Sequence, residues 1–479
     1  MSASIADDLA FQSAAQLAAL VRDKHLSPVE LVRLYLDRID YLDGRLRAYI
    51  TVCGDRALEA ARRAETAVMR GEPLGPLHGV PFAVKDQFDV RGLPTTMGSR
   101  ILEHAEAMDD ATVVARLTAA GGILLGKLNL TEFALGGTVQ FPFGQPRNPW
   151  NLDHDPGGSS AGSGIAVAAA LCAVALGEDT GGSVRSPAAF CGTVGLRPTW
   201  GRISRAGCFP LSWSMDAAGP LSRTVEDSAL LLGLMAGRDP RDRLTSQRAV
   251  PDYRAGLDGE VRGLTVGVIR ELTSGEDTDP EMRQPVLEAA QLLDKRGAHV
   301  EEISLPLLPH AGAVFMALAD SDGAGLHLGW LRRRPGDYDQ GTRRRLLTGA
   351  LLPAAARHQA ELARALIRAQ VLAALERHQV LLCPTSPRPA PPIAQTAAPI
   401  TSKAEVAARF FTRRSYTTPA SLAGVPALAV PGGFSASGLP LSVQVIGRPF
   451  DEATILQVGH AWERATDWHR RRPELRGAR

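Results

Sequence analysis

Apolar residues recur along this chain with two different periods. Between residues 12 and 70 the spacing is helical, with Val32, Leu36 and Ile39 on one face. Ser27-Pro28-Val29-Glu30 opens that region as a capping box with proline at the first helical position. Short continuous apolar runs then predict buried strands at 80–84, 123–125, 264–269, 380–383, 427–430 and 441–446. Helical patterns cover 111–120, 225–237, 280–296 and 453–465, and 311–380 reads as mainly helical. The longest apolar run, 165–176, holds 12 residues and reads as a buried helix. A membrane-spanning helix needs about 20. Helices alternating with short apolar strands predict an α/β layered fold, and no linker or internal repeat divides it.

Composition narrows the function classes. Lys+Arg 53 against Asp+Glu 51 leaves a net charge of +2, without the basic excess of a nucleic-acid binder. The arginine clusters at 332–334, 343–345 and 470–472 read as solvated faces. The five cysteines form no C-x-x-C pair, which argues against a disulfide framework or structural zinc. The first residues, MSASIADDLAF, lack the apolar stretch of a signal peptide. A cytoplasmic protein off the membrane is expected. Only 5 of the 53 cations are lysines (24, 85, 127, 295 and 403). Arginine stays protonated, whereas a buried lysine can act as a base.

Chemistry-bearing residues concentrate between 154 and 192, where two Gly/Ser-rich loops flank one apolar segment. Three readings compete. Gly158-Ser159-Ser160-Ala161-Gly162 matches G-x-S-x-G, but no buried strand precedes it as a nucleophile elbow requires. Residues 121–127 match G-x-x-x-x-G-K, but Leu128 replaces the magnesium-binding hydroxyl and the interior is strand-like, so Lys127 reads as structural. The third is a serine nucleophile activated by a lysine. Lys85 ends an apolar run, where desolvation lowers its pKa. Asp86 beside it would oppose a base role, but adjacent side chains on a strand diverge, so Asp86 is expected to point elsewhere. Cys191 reads as a small buried hydrophobe, and His78 as a structural loop residue.

The motifs resemble the amidase signature family of serine hydrolases. They are GPLHGVPFAVKD (75–86), GKLNLTEFALGG (126–137), RNPWN (147–151), PGGSSAGSG (156–164), EDTGGSVRSPAAFCGTVGLRPTWGRIS (178–204), SMDAAGPLSRTVED (214–227) and GLPLSVQVIGRPFDEATIL (438–456). The resemblance implies one unit over 1–479, with a central mixed β-sheet covered by helices on both faces. Within it lie an N-terminal helical region (12–70), a catalytic core (75–227) and a variable helical region lining the substrate pocket (311–380). It implies a catalytic Ser–cis-Ser–Lys triad: Lys85 as base, Ser159 as bridge, Ser183 as nucleophile, with a cis peptide before Ser159. It assigns the oxyanion hole to the amides of Thr180, Gly181, Gly182 and Ser183. It makes Asp179 and Arg185 orienting residues, and puts Ala134, Leu135 and Gly136 at the acyl pocket. No metal and no cofactor are implied.

The expected partner is a small amide-type substrate, with room for a homodimer. The leading expectation is a hydrolase cleaving an amide, anilide or carbamate through an acyl-enzyme on Ser183, with ester cleavage as a side activity. The alternative is the glutaminase component of a tRNA-dependent amidotransferase. That component typically has Gln after the arginine near the nucleophile, whereas Ser186 follows Arg185 here. The CFPLSWSMD stretch also looks more like free-standing amidases.

Overall fold

A computed structural model describes residues 3–393 and 402–475. The ends of the expected 1–479 unit lie outside the described residues. Eleven strands form one sheet: β1 (Tyr49–Val52), β2 (Pro81–Lys85), β3 (Ile123–Leu128), β4 (Val174–Glu178), β5 (Val194–Arg197), β6 (Ala218–Ser222), β7 (Thr265–Ile269), β8 (His299–Ile303), β9 (Val380–Pro384), β10 (Ala427–Phe434) and β11 (Pro440–Gly447). Their order is β1-β3-β2-β4-β6-β5-β10-β11-β9-β7-β8. The sheet is mixed. β2 runs parallel to β3 and β4, and β7 parallel to β8 and β9, while β6, β5, β10 and β11 pair antiparallel between them.

Helices cover both faces, and the strands show why. On β9, Val380 and Leu382 join one hydrophobic cluster, and Leu381 and Cys383 the other. Successive side chains leave a strand on opposite sides, so a strand apolar at every position is buried on both. Among the described residues, no helix is long and apolar enough to cross a membrane.

Two expectations change, and one strand goes unannounced by the sequence. The 12–70 region is not helical throughout: helices Ala14–Arg22, Pro28–Leu46 and Gly54–Arg70 are interrupted by β1. Four residues at a sheet edge leave too little pattern to stand out against helical periodicity. The apolar run 165–176 is not one helix. It splits into the end of helix Ala161–Ala168 and the start of β4. Ala170 adopts φ +50 between them, which a continuing helix does not allow. The edge strand β8 reads HVEEI and is largely solvent-facing, so it presents no apolar run.

The parallel pair β2–β4 positions the site. Both strands run the same way, so their final residues, Lys85 and Glu178, emerge at one end of the sheet. The Gly/Ser loops lie there too. Helix Ala161–Ala168 starts directly after Ser160, and helix Arg185–Cys191 directly after Val184.

Candidate active site

Lys85 is buried at the end of β2, and its Nζ donates to Ser159 Oγ at 2.8 Å. The peptide Gly158–Ser159 is cis. Ser160 N donates to the Ser183 carbonyl at 3.2 Å, which ties the two serine loops together. Ser159 and Ser183 both border one cavity of about 580 Å³, as do Ala134, Leu135 and Gly136. From the helical 311–380 region, Phe315, Arg344 and Arg345 reach the same cavity.

Local sequence explains the loop at 179–184. A Cβ on Gly181 would lie 2.3 Å from the Phe315 ring, and one on Gly182, at φ +121, would lie 2.3 Å from Thr417 Oγ1. Only glycine lets the backbone pass so close. Asp179 organises the turn from beneath. It accepts from Gly182 N at 2.7 Å and Val184 N at 3.2 Å, and from Arg185 Nε and Nη2 at 3.0 Å each. Arg197 Nη1 also reaches it, at 3.2 Å. Burial works against the carboxylate charge, but Arg185, Arg197 and the Gly182 amide outweigh it and hold Asp179 well below the usual range. One oxyanion-hole expectation changes here. The Gly182 N–H points at Asp179, so it is committed to the turn. Among the described residues, no acceptor meets the amides of Thr180, Gly181 and Ser183.

Burial lowers the Lys85 pKa, and Glu178 opposes this. Lys85 Nζ lies 3.4 Å from both the carbonyl oxygen and Oε2 of Glu178. Sequence reading missed Glu178 and its neighbour Asp216. Thr180 Oγ1 touches Glu178 Oε1 at 2.7 Å and Asp216 Oδ1 at 2.9 Å. One hydroxyl proton cannot serve two carboxylates fully, so a proton on Asp216 relieves the conflict. Burial, then Glu178, accordingly raises Asp216 to about 7. The available signal was an acid ending an apolar run at 178, as Lys85 ends one at 85.

The remaining candidates fall outside the cavity. Asp86 turns from Lys85 and meets Lys127 Nζ at 2.7 Å. His78 Nε2 contacts the Ala64 carbonyl at 2.9 Å. Cys191 is buried, with Sγ 3.3 Å from the Pro156 carbonyl.

Known proteins are similar to this chain over most of its length. The family model described as Amidase matches residues 30–456. A glutamyl-tRNA(Gln) amidotransferase subunit of Moorella thermoacetica is 40% identical over 98% of this chain and 99% of its own. A solved chain from a vestigial protein complex linked to the origins of an s-triazine catabolic enzyme superposes with TM-score 0.87 at 34% identity, covering 95% of this chain and 98% of that one. A bacterial aryl acylamidase of the amidase signature enzymes also gives 0.87, at 28% identity over 96% and 97%. With its buried lysine–serine contact, its paired serine loops and a family match over most of its length, the chain belongs to the amidase signature family of hydrolases acting on carbon–nitrogen bonds.

Proposed function

We propose that this chain acts as one unit over 1–479 and cleaves a small amide, anilide or carbamate through an acyl-enzyme on Ser183. The observation that carries this reading is the buried 2.8 Å contact between Lys85 Nζ and Ser159 Oγ, with Ser159 and Ser183 both lining one cavity. In its neutral form Lys85 takes the Ser159 proton as Ser159 takes that of Ser183. Ser183 Oγ then attacks the substrate carbonyl, and the C–O bond forms. The amides of Thr180, Gly181 and Ser183 receive the oxyanion. The proton returns through Ser159 to the leaving nitrogen as the C–N bond breaks. Water cleaves the acyl-enzyme by the same relay. Asp179 and Arg185 hold the loop in position, and Ala134, Leu135 and Gly136 border the acyl group.

The test is labelling of Ser183 by a fluorophosphonate, read by intact mass. The wild type gains one adduct and Ser183→Ala gains none. That substitution lowers kcat by about 10⁴–10⁶-fold if the triad acts as a unit. Near-wild-type turnover in the variant sinks the mechanism.

A second reading, the glutaminase component of a tRNA-dependent amidotransferase, has its own support. Curated relatives that bear the amidotransferase name are 38–40% identical over nearly the whole chain, and this favours it over a free-standing amidase. Ser186 after Arg185 points the other way. Ammonia release from glutamine that requires added partner proteins selects the amidotransferase reading. Amide turnover by the isolated chain selects the first.

A further inference from the structure

Arginines dominate the charge of the cavity lining. Arg344, Arg345, Arg413 and Arg414 border it, and Asp155 is the one carboxylate among its described lining residues. Asp155 already faces Arg413, at 3.6 Å. Asp320 lies behind the wall and engages Arg345 through both oxygens.

Two of the four guanidiniums converge on one point. A carbon added at Gly136 would lie 3.6 Å from Arg414 Nη2 and 3.7 Å from Arg345 Nη1. Gly136 sits at φ +77, where other residues are strained, so no side chain fills the space beside the two forks; Arg345 Nη1 also donates to the Gly136 carbonyl at 3.3 Å. Burial, then the nearby Arg345, lowers the Arg414 pKa, and Asp320 opposes this only in part. An anion placed there is attracted by both guanidiniums, and planar guanidinium forks match a carboxylate in shape.

We infer that the cavity takes a net-anionic, carboxylate-bearing amide, with the carboxylate held between Arg345 and Arg414 over Gly136. The inference rests on the amidase reading of the same site and adds the charge of its substrate. It also separates this site from one built for a zwitterion. Four guanidiniums and one carboxylate are among the described lining residues, so a substrate ammonium meets more like charge than opposite charge.

Three matched amides test it on the full chain: glutaramate with a carboxylate, glutamine with a carboxylate and an ammonium, and pentanamide with neither. Glutaramate is expected to exceed pentanamide in kcat/KM by about 10- to 100-fold, the worth of charge-assisted hydrogen bonds. Arg414→Gln is expected to bring that ratio close to one, and Arg414→Lys to keep part of it. Equal rates for glutaramate and pentanamide overturn the inference and leave the amidase reading standing. So does a preference for glutamine over glutaramate.

A second measurement does not depend on turnover. Glutarate is expected to slow fluorophosphonate labelling of Ser183 in the wild type, and to lose this protection in Arg414→Gln. Labelling that glutarate does not slow overturns the inference alone. No labelling of Ser183 at all overturns the amidase reading, and the inference falls with it.

Discussion

β2 and β3 lie side by side, and each buries a lysine. Lys85 on β2 and Lys127 on β3 are both wholly shielded from solvent. Yet Lys127 Nζ meets the Asp86 carboxylate at 2.7 Å and the Pro94 carbonyl at 3.0 Å. Lys85 Nζ meets a hydroxyl first, Ser159 Oγ at 2.8 Å, and a carboxylate only at 3.4 Å. Register explains the difference. Lys127 pairs with Val84, and Lys85 with Leu128. The lysines are one step apart, so they leave opposite faces of the sheet. Asp86, next to Lys85 in sequence, leaves on the Lys127 side for the same reason. Burial alone therefore does not make a lysine a base. The nearest partner differs, and here one lysine faces an anion while the other faces a serine hydroxyl.

Replacing the two lysines and their neighbours one at a time tests this contrast. The largest effect is expected at Lys85. Lys85→Ala lowers kcat/KM by about 10⁴-fold, in line with loss of a triad member. Lys85→Arg does no better, because arginine does not release its proton. Substantial rescue by arginine, in steady-state kinetics, would show that charge alone is needed.

Lys127→Met leaves Asp86 buried without its cation. The expected loss is about 3–5 kcal/mol of stability, read from chemical denaturation. The folded variant keeps its labelling of Ser183. Loss of labelling at native fold would place Lys127 in the chemistry and erase the contrast.

A smaller effect concerns pH. Activity is expected to fall at low pH as Lys85 gains a proton. Glu178 pushes the Lys85 pKa up against burial. Glu178→Gln removes that push, so the acidic limb of kcat/KM moves to lower pH. A limb that stays put would mean that Glu178 does not act on Lys85.

The smallest effect is thermal. Asp216 is raised from 3.8 to about 7, first by burial and then by Glu178. The folded chain then holds this proton more tightly than the unfolded chain. The stabilisation is full below the unfolded value and is lost as pH rises towards about 7. Asp216→Asn lacks this loss, so its Tm relative to wild type rises between those two pH values. A constant difference would contradict the shift.

Much of this was legible along the chain. The strand 80–84, the terminal Lys85 and both serine loops stand out as motifs, and the structure brings Lys85, Ser159 and Ser183 to one end of the sheet. β1 and β8 escaped notice because short or polar edge strands have little apolar pattern. Glu178 and Asp216 escaped for another reason. Both lie inside the quoted motifs, but their contact is not local, since 38 positions separate them along the chain.

The sequence by itself determined the period of each element, the glycine-rich turns and the residue types available for chemistry. Those are local properties, set by backbone sterics and the alternation of side chains. Only the tertiary structure decided which buried lysine meets a hydroxyl and which a carboxylate, and that four arginines border one cavity. Electrostatic interaction depends on distance in space and on the exclusion of water. Neither quantity exists until strand register and helix packing place residues such as Arg345 and Arg414, 69 positions apart in sequence, around the same few ångströms at Gly136.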